Sequence, residues 1–144
     1  MNYSEIKQIK SFCETLSSNP FWREVVSNID LKEDDFEVDG VRFINDEIIK
    51  DILEDELASD EYILGSFSDW SISEATGWPL FLIELAQKNG EYEELGKAMT
   101  GSHVAELASL LISHDGYGHH FNRYDGSEEE FSINGILYHV FDNR

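Results

Sequence analysis

"EEFSINGILYHVF", residues 129–141, decides the fold. Asn134-Gly135 is a dipeptide favoured by the two-residue hairpin turn, whose central residues need positive φ, and the flanking segments carry β-forming residues. Strands are expected on both sides of it. Positions 136–141 are apolar on both faces apart from His139, so this strand is expected at the centre of a small antiparallel sheet.

A second hairpin signal lies upstream. "FEVDGVRF", residues 36–43, alternates apolar and polar side chains around Asp39-Gly40, and is the expected sheet neighbour of the C-terminal strand. Between the hairpins the periodicity is helical. Asn45 is expected to cap a helix through about Leu57, and "SDEYILGSF" continues as a short helical or irregular piece. Further helices are expected at about 69–76, 79–89 (Pro79 in the first turn, Gly90 at the stop), 91–99 and 102–113.

Before the first hairpin, Ile6, Ile9, Phe12, Cys13 and Leu16 recur at helical spacing. Pro20 then opens a second helix to about Ile29. The reading is α+β: a mostly helical single domain, 1–144, with a small antiparallel sheet formed by the 36–43 hairpin and the C-terminal strands. Residues 1–30 are an N-terminal helical pair packed on a 36–144 core.

The chain has 144 residues, 41% of them hydrophobic, enough for one core and too apolar for a disordered chain. The lone Cys13 excludes an intramolecular disulfide, reads as a small core residue and fits a reducing cytosol. "MNYSEIKQIK" has no signal-type apolar stretch. "WPLFLIELA", 78–86, holds a Pro and a Glu and is far too short for a membrane span. A soluble cytoplasmic protein with no membrane partner is expected.

Charge is the strongest signal: 30 acidic against 10 basic residues give −20. Nucleic-acid affinity comes from neutralising phosphates with Lys and Arg, so direct nucleic-acid binding is excluded as a main activity and a basic partner is expected. Fourteen acidic and three basic residues between 30 and 61 leave −11 there, over half of the total. On the expected 45–57 helix, Ile48, Ile49, Ile52, Leu53 and Leu57 form an apolar arc, and Glu47, Asp51, Glu54 and Asp55 fall opposite. These four carboxylates would span about 12 Å of axis, close to the roughly 3.4 Å phosphate spacing of one DNA strand.

Two like charges about 6 Å apart repel by roughly 0.7 kcal/mol in water. Few Lys or Arg are interleaved to relieve them, as ordinary helices arrange. A solvated face in a salt-adapted protein would have the same composition; the partner-directed reading selects Glu47, Asp51, Glu54 and Asp55, then Asp34, Asp35, Asp60 and Glu61. Tyr62 or Trp70 would be an apolar anchor at the rim.

"HDGYGHHFNRYDG", 114–126, holds three of the five histidines. His103, His114-Asp115 and Asp125 follow the order of metal-dependent phosphohydrolases. His103 and His114, however, sit roughly 16 Å apart on one expected helix, too far to share an ion. A metal site from His114, Asp115, His119 and His120 is the minor alternative; no Cys is near to complete a typical zinc set. The preferred reading is a structural turn. Gly116 and Gly118 end the helix with positive φ, Tyr117, Phe121 and Tyr124 pack onto the sheet, and Asp125-Gly126 makes another turn.

His139 reads as a hydrogen-bonded core histidine. "GEYEELGKA", 90–98, is no phosphate loop: five residues separate its glycines, no Ser or Thr follows Lys97, and Glu91, Glu93 and Glu94 stand where phosphates would sit. No nucleophile elbow, Cys-x-x-Cys or His-Glu-x-x-His is present, so no enzyme and no cofactor are expected.

"DGYGHHFNRYDG" followed by "EEE" and a terminal strand, together with "DEIIKDILEDELASDEYILGSF", resembles small acidic proteins encoded by bacteriophages, over roughly residues 38–131. The resemblance implies a phage setting in the bacterial host cytosol, where small acidic proteins often block host defence, as anti-CRISPR or anti-restriction proteins do. The leading expectation is a non-enzymatic inhibitor acting as a DNA mimic in the nucleic-acid-binding groove of a CRISPR effector or restriction enzyme. The alternatives are an immunity or antitoxin protein that neutralises a basic nuclease, and a small metal-dependent hydrolase using His114, Asp115, His119 and His120.

Overall fold

A computed structural model describes residues 34–38, 40–133 and 135–143. The expected N-terminal helical pair, with Cys13, lies outside the described residues. In chain order the elements are β1 (Asp35–Val38), β2 (Val41–Asn45), α1 (Ile49–Ala58), α2 (Glu61–Gly65), α3 (Asp69–Thr76), α4 (Leu80–Lys88), α5 (Tyr92–Ala98), α6 (Gly101–Asp115), α7 (Gly118–Phe121), β3 (Glu129–Ile133) and β4 (Ile136–Asp142). The fold is α+β. Described residues up to 49, with those from 117 onward, form one compact unit, and residues 50–116 form another. Among the described residues no helix is long and apolar enough to cross a membrane.

In the first unit both hairpins form. Val38 pairs with Val41 and Ile133 with Ile136, leaving two-residue turns in which Gly40 and Gly135 have φ of +79° and +78°. The antiparallel order β1-β2-β4-β3 puts β4 in the middle. Its alternate residues serve two faces. Tyr138 and Val140 are buried with Phe36 and Phe43, whose rings stack at 5.0 Å; His139 and Phe141 are buried on the opposite face. The run of apolar residues in β4 follows from this double burial.

On the second face α7 lays Phe121 against Phe141 at 5.2 Å, and the Arg42 guanidinium stands 4.9 Å over the Phe121 ring. Gly116 ends α6 with φ +74°, as expected. Gly118 does not act as a terminator. It opens α7, and a Cβ there would lie 2.0 Å from the Gly126 carbonyl oxygen, so its role is close backbone approach. Tyr124 does not pack on the sheet either, being 74% exposed. Asn122 holds the turn in its place: buried, it accepts from Tyr124 N at 2.9 Å and donates to Ser127 O at 2.9 Å.

The expected start of α1 is corrected. β2 extends to Asn45, which pairs with Tyr138, and Asp46 N donates to Leu137 O at 2.9 Å, so the backbone is still tied to the sheet where a helix was expected to begin. The Asn45 side chain accepts from Glu47 N at 2.9 Å, closing an Asx turn. α1 begins at Ile49, and Glu47 is not on it.

After α1, the expected helices of the second unit form within two residues of their sequence boundaries. Asp60, Ser68 and Thr100 cap α2, α3 and α6 through their side chains. Thr100 is reciprocated by His103, whose Nδ1 accepts from Thr100 N at 3.1 Å. Leu53, Leu57, Leu64, Ile72, Ile83 and Leu107 are buried, each such side chain contributing about 1.5–3 kcal/mol. The short helices α2 and α5 meet through glycines. A Cβ on Gly65 would lie 1.8 Å from Tyr92 O, and one on Gly96 1.9 Å from Glu61 O. "GEYEELGKA" is therefore a packing element.

Candidate functional site

The buried residues of α1, Ile49, Leu53 and Leu57, recur every fourth position and turn Asp51 and Asp55 to solvent, with Glu54 half-buried beside them. Glu54, Asp55 and Glu56 occupy the C-terminal half of the helix, and its last turn has no basic residue. This opposes the usual preference for cations at a helix C-terminus. α2 follows at once because Asp60 accepts from Ile63 N at 3.1 Å, and the Gly96 approach draws the Glu61 backbone onto α5.

Glu54, Asp55 and Glu61 consequently line one cleft of about 310 Å³. Ala58, Leu64, Met99 and Val104 add apolar walls, and Lys97, Thr100 and Gly101 complete it. Three carboxylates outweigh the single ammonium. The C-terminal end of α1 and the N-terminal end of α6 contribute about half a charge each, of opposite sign, and cancel. The cleft is net negative with aliphatic walls, a match for an Arg or Lys side chain whose stem lies on apolar surface and whose head meets carboxylate.

Lys50 reaches Glu54 at 3.8 Å from the preceding turn, an exposed pair worth about 0.3–0.5 kcal/mol that leaves the carboxylate available. Among the described residues Glu47, Asp51, Asp55 and Glu61 have no cation within ion-pair distance.

Other expected partner residues have structural work. Asp35 is held by Arg42 through two hydrogen bonds of 2.9 and 2.7 Å, so it is not the unpaired carboxylate expected. Asp34 accepts from Asn45 Nδ2 at 3.0 Å, and Asp60 is the α2 cap. The expected 12 Å row becomes three carboxylates over about 6 Å of α1, and Glu61 lines the same cleft as Glu54 and Asp55. Tyr62 and Trp70 are both 54% exposed, Tyr62 against the Tyr92 ring and Trp70 edge-on to His114. Phe81, Leu82 and Leu85 on α4 are further exposed apolar side chains, which the sequence reading passed over.

The minor metal set finds no support. His114 and Asp115 are exposed at the end of α6; His119 is exposed on α7, and His120 stands edge-on to Phe121. Among the described residues a different group comes together: Glu128, Glu130 and His139 each offer a ligand atom within 4.8 Å of the others. His139 is buried, donates from Nε2 to Asp46 Oδ1 at 2.6 Å and turns Nδ1 to Glu128 Oε1. Burial pushes the imidazole pKa down, but hydrogen bonds to Asp46 and Glu128, and their charges, outweigh it and leave the pKa raised.

The sequence reading missed Lys97, Met99, Thr100 and Gly101 at the cleft, and Asp46, Glu128 and Glu130 around His139. The cleft depends on the crossing of α2 and α5, which has no local signature. Glu130 could have been found, since a two-residue turn at 134–135 fixes it opposite His139. Compared with family models, with curated proteins and with solved structures, the chain matches none.

Proposed function

We propose that the protein is a non-enzymatic, phage-encoded inhibitor of a host defence protein, its carboxylates standing in for phosphates in the nucleic-acid-binding groove of a CRISPR effector or restriction enzyme. The observation that carries this reading is the convergence of Glu54, Asp55 and Glu61 on one apolar-walled cleft without an internal cation sufficient to neutralise them. An exposed ion pair is worth about 0.2–1 kcal/mol, so three such pairs do not make a tight complex alone. Tyr62 and Trp70 would supply buried anchor area, while the net charge of −20 speeds encounter with a basic groove.

The test is inhibition of DNA cleavage by a panel of purified CRISPR effectors and restriction enzymes, at rising NaCl, with the wild type and a Glu54→Lys, Asp55→Lys, Glu61→Lys variant. Inhibition that competes with DNA, weakens with salt and disappears in the folded variant is expected. An inert wild type at low salt, or equal inhibition by the variant, rejects the reading.

A further inference from the structure

His139 is a buried titratable group among the described residues, at the centre of the sheet and 6% exposed. Its surroundings follow from register. The two-residue turn at 134–135 pairs Glu130 with His139 across β3 and β4, and Glu128, two residues earlier, falls on the same side. Asp46, just beyond the end of β2, approaches the other ring nitrogen, and the Tyr117 ring packs edge-on at 5.2 Å.

A carboxylate only accepts hydrogen bonds, so Asp46 fixes the proton on Nε2. In the neutral ring, Nδ1 then carries a lone pair directed at the oxygens of Glu128 and Glu130. Glu130 is exposed to water, while the contact between Nδ1 and Glu128 calls for either a proton on Nδ1 or a cation. A proton on Nδ1 provides one charge against three carboxylates and gives Glu130 no role; among the described residues the Glu130 side chain makes no hydrogen bond or ion pair. A divalent cation uses all three ligand atoms.

We propose that Glu128, Glu130 and His139 form a binding site for a first-row divalent cation of the zinc class, with Asp46 as the carboxylate that orients the histidine. One imidazole nitrogen and two carboxylate oxygens suit zinc, whose sites commonly pair three protein ligands with an open position. The same set is a poor match for magnesium, which demands oxygen ligands in octahedral array. An orienting carboxylate on the far ring nitrogen is a regular partner of metal-bound histidine, because it fixes the tautomer and raises ligand basicity. This site is independent of the inhibitor reading, which places no ligand on β3 or β4.

The experiment uses tag-free, full-length protein stripped with chelator and titrated calorimetrically with ZnCl2 and, separately, MgCl2, with thermal melts at each end point. Zinc is expected to bind at one equivalent and raise the Tm; magnesium is expected to do neither. Glu130→Gln should leave the metal-free Tm unchanged, since that carboxylate contributes no bond to His139, and should weaken zinc at least about tenfold. A His119→Ala, His120→Ala variant should bind zinc as the wild type does. Absence of stoichiometric zinc binding, an equal response to magnesium, unaltered zinc affinity in Glu130→Gln, or its loss in the double histidine variant would each overturn the proposal.

Discussion

Gly96 lies with its α-carbon against the main-chain carbonyl of Glu61, so close that a methyl group would stand 1.9 Å from the oxygen. This approach sets α2 on α5 and brings Glu61 to the cleft that Glu54 and Asp55 border from α1. Fold and candidate site thus share one contact.

Gly96→Ala must push the two helices apart, an overpacking cost of about 1–3 kcal/mol. Gly65→Ala, facing the Tyr92 carbonyl, should behave alike. Gly101→Ala, with nothing within 4 Å of the added carbon and in the first turn of α6, should be neutral or mildly stabilising. Urea denaturation of the three variants checks the order; equal stabilities would show that α2 and α5 do not meet this way.

Glu54→Gln and Asp55→Asn each remove a negative charge near the C-terminal end of a helix that has no basic residue in its last turn. Asp55→Asn, in the last turn, should stabilise the folded protein by about 0.3–1 kcal/mol at low salt, whereas Glu54→Gln also gives up the Lys50 pair and should leave stability nearly unchanged. Both should slow association with a basic target. Thermal melts and stopped-flow association rates measure the two effects, and a loss of stability together with a loss of binding would mean that these carboxylates are structural.

Thr100→Ala removes the acceptor of the 3.3 Å bond from His103 N and should cost about 1 kcal/mol. His103→Ala takes away the reciprocal acceptor of Thr100 N together with the edge-on contact of its ring with Trp78 at 5.5 Å, so its cost adds packing to capping. An unchanged stability of Thr100→Ala in chemical denaturation would place the α6 start elsewhere.

In metal-free protein the raised His139 pKa has a definite sign. The ion pairs with Asp46 and Glu128 stabilise the fold fully below the unfolded histidine value of about 6.5, and their contribution is lost as pH rises through the higher folded value. Melts in chelator should therefore show stability falling from pH 6 towards alkaline pH, and a His139→Gln variant should lack this slope. An equal slope in both proteins would assign the titration to another group.

The two hairpins were legible because their determinants are local: Asp39-Gly40 and Asn134-Gly135 specify turns with no reference to the rest of the chain. The central place of β4 was legible for a similar reason, since only a strand covered on both faces tolerates apolar residues at 136, 137, 138, 140 and 141. Asn45 shows the limit. A helix cap and an Asx turn use the same side-chain oxygen, and the choice was made by the pairing of Asn45 with Tyr138, 93 residues away. Carboxylates were misassigned likewise: Asp35 looked free until the β1–β2 register set it within reach of Arg42.

The most direct measurement is displacement of a fluorescently labelled DNA duplex from a purified defence nuclease, titrated with this protein at low and physiological salt. Displacement by the wild type that weakens as salt rises, and that fails with the Glu54→Lys, Asp55→Lys, Glu61→Lys variant, is the predicted result. A complex in which nuclease binds duplex and protein together, or displacement indifferent to those three substitutions, contradicts it.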